Sequence, residues 1–170
     1  MATSTKTRVA VNGYGVIGKR VAEAVTRQDD MILAGVCDVT TDWRLHIAAE
    51  RGYRLFGATP DSAAAMRTAG LAIRGGLDDL LAVSDIIVDC TPKKIAAQNI
   101  TTYRRQGVKF ILQGGEKHEV TGHSFVAEAN FASAVGRDAT RVVSCNTTSM
   151  VRTLTALKQA GLLRKAHGTL

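Results

Sequence analysis

Two residue patterns in this 170-residue chain have the types and spacing to do chemistry. Near its start, Gly13-Tyr14-Gly15-Val16-Ile17-Gly18 spells Gly-x-Gly-x-x-Gly between the apolar run Val9-Ala10-Val11 and a helix-forming stretch. A loop of this kind cradles a pyrophosphate. Gly13 permits the tight turn, Gly15 lets backbone approach the phosphates, and Gly18 lets the helix pack close to the sheet. The N–H groups of Val16 and Ile17 then face the anion from a helix N-terminus. Past Gly18, Asp38 closes the second apolar strand, where a carboxylate accepts hydrogen bonds from the adenosine ribose hydroxyls. That placement favours NAD over NADP, although Arg44 and the Thr40 and Thr41 hydroxyls are close enough in sequence to take a 2′-phosphate if Asp38 turns away. The plain alternative is a glycine-rich turn with an ordinary helix cap.

The second pattern is Ser144-Cys145-Asn146-Thr147-Thr148, which follows the β-branched run Arg141-Val142-Val143 and precedes a helical stretch. Cys145 is expected at the junction of a buried strand and a helix N-terminus. Unpaired N–H groups and partial positive charge there favour thiolate over thiol, lowering a pKa that is about 8.5 in a free cysteine. On spacing alone a second reading stays open: a buried cysteine before a cap made by Asn146 or Thr147. Cys37 and Cys90 read as small buried residues at strand ends. The three cysteines are widely spaced and show no CxxC pair, which argues against a disulfide framework or metal centre. Between the two patterns, Thr91-Pro92 ends a strand where open α/β sheets place ligands, so Thr91 is expected to line the cofactor cleft. The glycines of Gln113-Gly114-Gly115-Glu116-Lys117 suit close approach to the nicotinamide half. His118 and His123 follow that loop and read either as neighbours of the cleft or as solvent-exposed loop residues.

These residues need elements to position them. Short apolar strands are expected at Arg8–Val11, Ile32–Cys37, Ile86–Asp89, Lys109–Leu112 and Arg141–Ser144. Helical composition covers Val16–Thr26, Asp42–Arg51, Asp61–Ala69, Leu77–Leu81, Lys94–Gln106 and Ser124–Val135, with Gly70, Gly107 and Gly136 where helices end. Buried strands alternating with helices predict a doubly wound α/β domain of Rossmann type with a parallel sheet. The dinucleotide-binding domain is expected over 1–145. Residues 146–170 then form a helix with the nucleophile at its head and the beginning of a substrate domain that is largely absent, so the chain reads as the N-terminal portion of a longer protein. A net charge of +7 with 5% aromatic residues fits anionic small ligands better than nucleic acid. The polar start Met1–Thr7 leads to no secretory signal, and no apolar run approaches a membrane span, so a cytoplasmic protein is expected.

Asn-Gly-Tyr-Gly-x-Ile-Gly-Lys-Arg-Val-Ala from Asn12, then Gln-Asp-Asp-Met, Asp-x-Thr-Pro, Gln-Gly-Gly-Glu-Lys and Val-Val-Ser-Cys-Asn-Thr-Thr closely resemble the archaeal-type (type II) phosphorylating glyceraldehyde-3-phosphate dehydrogenases. The resemblance covers nearly the whole chain. It implies an NAD- or NADP-dependent enzyme of glycolysis and gluconeogenesis that oxidises glyceraldehyde 3-phosphate to 1,3-bisphosphoglycerate. Cys145 matches the catalytic nucleophile, which carries the substrate as a thiohemiacetal and then a thioester. Ser144 and Asn146 match positions that hold substrate, with Thr147 and Thr148 as further phosphate or substrate contacts. Val16, Ile17 and Gly115 match cofactor contacts. The resemblance also implies a homotetramer in the complete form. Family members commonly carry a lysine or another NADP-compatible residue where this chain has Asp38. They also continue for about as many residues again, which supply an arginine pair, the general-base histidine and the second substrate domain; this portion is expected to be inactive alone. A related aldehyde or semialdehyde dehydrogenase and a stand-alone dinucleotide-binding module are the other readings.

Overall fold

Runs rich in Val and Ile pack well on a pleated surface covered on both sides, and here they build one sheet. The computed structural model describes residues 6–169; the polar start Met1–Thr5 and Leu170 lie outside the described residues. Along the chain come β1 (Thr7–Asn12), α1 (Val16–Thr26), β2 (Met31–Asp38), α2 (Trp43–Glu50), β3 (Leu55–Gly57), α3 (Pro60–Thr68), β4 (Ile73–Gly76) and α4 (Leu77–Ala82). There follow β5 (Ile86–Asp89), α5 (Ile95–Arg105), β6 (Lys109–Leu112), a 3-10 turn (His118–Val120), β7 (Ser124–Phe125), α6 (Ala127–Ala134), β8 (Ala139–Val142) and α7 (Cys145–Gln159). The strands form an eight-stranded sheet in the order β4-β3-β2-β1-β5-β6-β8-β7. Every pairing is parallel. This is the expected doubly wound, Rossmann-type fold.

Alternation along β1 sends its side chains to opposite faces. Ala10 joins Ile87, Phe110, Ala96, Ile100 and Tyr103 on the α4/α5 side. Val11 joins Val36, Leu55, Ala22, Leu45 and Met66 on the α1/α2/α3 side. The order reverses between β1 and β5, where Asn12 stands opposite Asp89. Open α/β sheets bind ligands beyond the strand ends at such a switch point.

Several expectations need correcting. The helix expected over Ser124–Val135 is a strand followed by a shorter helix. Ser124 and Phe125 pair with Arg141 and Val142. Asn130, at φ −148° and ψ 35°, kinks α6. Its side chain accepts from Val126 N–H at 2.9 Å and donates to Ser124 C=O at 2.8 Å, taking the place of ladder bonds. β3, β4 and β7 were not expected, and β8 runs over 139–142 rather than 141–144. β8 is also only half-buried, with Thr140 its one buried residue. α7 has no buried residue at all, so the strand–helix junction at Cys145 sits at the surface.

Candidate active site

The glycine loop leaves β1 with Gly13 at φ +87°. A Cβ there would lie 2.9 Å from the Cys90 carbonyl carbon and the Thr91 nitrogen, and one on Gly18 would lie 1.9 Å from the Gly13 oxygen. Both positions are closed by backbone. Gly15 differs: a Cβ there would meet nothing nearer than Arg44 Nη1 at 3.9 Å. Gly15 is also the N-cap of α1 and offers no side chain to the first turn. The free N–H groups of that turn therefore face an open cradle, which is the arrangement a phosphate needs.

Beside Gly13 and Gly15 lies a cavity of about 580 Å³ whose lining includes Asn12, Asp38, Arg44, Thr91 and Asn99. Asp38 is already engaged there: Oδ2 accepts from Tyr14 N–H at 2.6 Å, and Oδ1 from the N–H groups of Val39 at 2.6 Å and Thr40 at 3.2 Å. The carboxylate thus ties the glycine loop to the end of β2 as well as lining the cavity. Arg44 is paired with Asp42 at 2.5 Å, and this guanidinium holds the Asp42 carboxyl well below the usual carboxylate range.

Behind Asn12, Thr91 and Asn99 of the cavity lining stands a polar network that the sequence did not announce. Asp89 is fully buried and accepts from Tyr103 Oη at 2.6 Å, Asn99 Nδ2 at 3.0 Å, and both the N–H (2.9 Å) and hydroxyl (2.5 Å) of Thr91. Tyr103 in turn accepts from Asn12 Nδ2 at 2.9 Å. Asn12 Oδ1 is buried without a partner and lines the cavity. An orphaned buried acceptor beside an open cradle fits a polar ligand with a donor to offer. The signal in the sequence was Asn12 and Asp89, each a polar residue closing an otherwise apolar strand.

A second cavity, of about 1020 Å³, takes in Ile17, Gly114, Gly115, Ser144, Cys145 and Thr148. It brings the first turn of α1, the loop after β6 and the first turn of α7 to one space. Ser144 caps α7, accepting from Thr147 N–H at 3.2 Å, so neither Asn146 nor Thr147 is the cap. Cys145 is exposed rather than buried, with its Sγ 3.9 Å from Asn146 Oδ1. The other thiols are held protonated: Cys37 lies at 0% exposure with its pKa pushed far up by burial, and Cys90 is pushed up to about 12 by burial and then by Asp89. Cys90 also lines the smaller cavity instead of being wholly enclosed. Four of the expected site residues line neither cavity: Gly18, Asn146, Thr147 and Val16, whose side chain borders a separate depression with Trp43.

Of the histidines at 118 and 123, His118 fits the solvent-exposed reading and His123 fits neither reading. His118 is exposed, with Nδ1 2.9 Å from Ser124 Oγ. His123 is buried, its ring nitrogens 2.6 Å from Thr140 Oγ1 and 2.9 Å from Ser133 Oγ, and it serves the β7–β8–α6 packing. Among the described residues no three His, Cys, Asp or Glu gather as a metal-binding group.

Comparison with known proteins adds three findings. Residues 7–119 match the family model described as dihydrodipicolinate reductase, N-terminus. Over 162 residues, 95% of this chain, the sequence is 44% identical to glyceraldehyde-3-phosphate dehydrogenase of Methanothermus fervidus, of which it covers 48%. Identity to the enzyme of the same name from Pyrococcus furiosus is 50% over 153 residues, 90% of this chain and 46% of that protein. The chain therefore spans about half the length of the curated relatives it matches. Among solved structures, aspartate semialdehyde dehydrogenase II from Vibrio cholerae aligns with a TM-score of 0.60 at 17% identity, covering 92% of this chain and 47% of that one, a likeness of fold alone.

Proposed function

We propose a function from this premise: the chain belongs to the family described as dihydrodipicolinate reductase, N-terminus, and is the N-terminal, cofactor-binding part of an archaeal-type glyceraldehyde-3-phosphate dehydrogenase. The fold is that of a dinucleotide-binding oxidoreductase domain. In the complete protein, this half binds NAD(P) and bears the nucleophile for phosphorylating oxidation of glyceraldehyde 3-phosphate. The observation that carries the reading is that Cys145, exposed at the head of α7, shares one cavity with Ile17 of the glycine-loop helix and with Gly115.

Gly15 and the N–H groups of Val16 and Ile17 would hold the pyrophosphate, and Asp38 and Thr91, which line the smaller cavity, would hold the adenosine half. When bound, the nicotinamide would supply the hydride acceptor. The Cys145 thiolate adds to the aldehyde carbon, and its C–S bond forms as the carbonyl electron pair moves to oxygen. The developing charge on that oxygen is stabilised by N–H groups of the first turn of α7 and by the Asn146 amide. After oxidation, inorganic phosphate attacks the thioester carbon and Cys145 leaves as thiolate, giving the acyl phosphate. Ser144, Thr147 and Thr148 supply hydroxyls to the substrate. The remaining parts of the proposal are an NAD preference set by Asp38, residues 146–170 as the start of the substrate domain, a homotetramer, operation in the cytoplasm in both glycolysis and gluconeogenesis, and no nucleic-acid or membrane partner. Among the described residues, no helix is long and apolar enough to cross a membrane.

The test is phosphate-dependent reduction of NAD or NADP by glyceraldehyde 3-phosphate in the complete protein. The expected result is turnover that is abolished by Cys145→Ser with dinucleotide binding kept. Turnover that persists in that variant removes Cys145 from the chemistry. A dinucleotide-binding module is the second reading, favoured by a glycine cradle completed within this chain; it predicts binding with no thiol chemistry.

A further inference from the structure

Glu116 lies in the loop after β6, and its side chain is buried at 5% exposure. The carboxylate accepts the Lys94 N–H at 2.6 Å. Lys94, at φ +78°, is the one non-glycine residue with positive φ among the described residues, and it caps α5 with no side-chain bond of its own. An L residue in that region clashes through its Cβ and stays there only when its surroundings hold it. Two further contacts tie the same place together. The Glu116 carbonyl accepts from Arg141 Nη1 at 2.9 Å, on the strand that leads to Ser144 and Cys145. A Cβ on Gly114 would lie 2.3 Å from the Thr91 oxygen, so the two loops meet backbone to backbone. Thr91 and Pro92 line the smaller cavity, and Gly114 and Gly115 the larger one.

We propose that Glu116 is a positioning residue: it latches the Thr91–Lys94 turn against the Gly114–Glu116 loop and so sets the wall between the two halves of the nucleotide cleft. The proposal rests on the dinucleotide reading above. Loss of the carboxylate leaves Lys94 N–H without its acceptor and releases the left-handed conformation, which moves Thr91 and Pro92 away from the ligand.

The experiment compares this chain with Glu116→Ala, Glu116→Gln and the double variant Glu116→Ala/Lys94→Gly. Amide exchange at residues 91–95 is read without ligand, and NAD affinity by calorimetry. Glu116→Ala is expected to speed exchange at Lys94 and weaken NAD by about tenfold. Glu116→Gln, whose amide oxygen still accepts, stays within about threefold of the parent. Lys94→Gly, which adopts φ +78° without a Cβ clash, recovers most of the affinity lost in Glu116→Ala. Glycine at a left-handed position also relieves strain in the fold as a whole, so urea midpoints are read alongside, and an affinity loss in Glu116→Ala beyond what its folded fraction accounts for separates positioning from mere folding. Unchanged exchange, faster exchange with unchanged affinity, or no recovery by glycine each overturns the latch. Should Glu116→Ala fail to fold, Glu116→Asp carries the same comparison with the carboxylate drawn back by one methylene. If the parent chain binds no NAD, the dinucleotide reading fails separately, and exchange at Lys94 decides whether the latch exists.

Discussion

Tyr103 donates its hydroxyl to Asp89 Oδ2 across 2.6 Å, from the last turn of α5 to the buried end of β5. Both residues are fully buried. A carboxylate in that position persists only with its lone pairs engaged, and Tyr103, Asn99 and Thr91 engage them. Because Thr91 hangs from the same carboxylate, the bond also places the turn that lines the cofactor cavity.

Tyr103→Phe removes a donor from Asp89 and an acceptor from Asn12. The expected cost is about 3 kcal/mol of folding stability, read as a lower urea midpoint at unchanged slope. Burial first, then Asp89, push the tyrosine pKa far above its ordinary value. The stability Tyr103 contributes is therefore full below the unfolded value of about 10 and is lost as pH rises beyond it, a loss that the phenylalanine variant should not show.

The two glycines of the loop should separate on substitution. Gly18→Ala drives a methyl into the Gly13 carbonyl and is expected to destabilise the fold by about 3 kcal/mol or more. Gly15→Ala has room, so its thermal midpoint should stay within a few degrees while dinucleotide affinity falls by about tenfold or more as the methyl enters the phosphate cradle. Equal stability losses in both would remove the distinction.

Asp38→Asn keeps an oxygen for one group of backbone donors but removes the charge. The NAD-over-NADP affinity ratio is expected to drop by about fivefold or more, because a 2′-phosphate no longer meets a carboxylate and Arg44 lies nearby. Some loss of NAD affinity accompanies it through the Tyr14 N–H contact. Titration of parent and variant with both nucleotides reads the ratio directly.

His123 has its pKa lowered, by burial first and then by Arg137 and His118. A lowered folded value means the unfolded chain binds the proton more readily. The contribution is then full above the ordinary value of about 6.5 and falls as pH drops from there toward the depressed folded value. Acid unfolding of the β7–β8–α6 region should begin in that window, and His123→Gln should flatten the slope there in pH-dependent melts.

Much of the cleft was legible because it depends on local backbone chemistry. The Gly13 turn, the close approach at Gly18 and the placement of Cys145 on the first turn of a helix follow from residue type beside a strand. Leu55–Gly57, Ile73–Gly76 and Ser124–Phe125 were not legible as strands: runs of two to four residues have no measurable alternation, and two of them contain glycines that weaken strand propensity. The Asn12–Tyr103–Asp89 network was equally hidden, since its members are separated by 77 and 14 positions and only the sheet brings them together. Glu116 was read as part of a loop and Lys94 as the first residue of a helix; neither a left-handed lysine nor its distant acceptor leaves a mark in composition.

α7 extends fifteen residues from Cys145 without burying one of them. A helix of that length, held by a serine cap and little packing, is only marginally stable in water. The thiol therefore rides on a lightly packed helix, whose amide protons should trade with solvent well before those of α1 or α5. Packing along α7 thus governs how steadily the sulfur is aimed into the space it shares with Ile17 and Gly115.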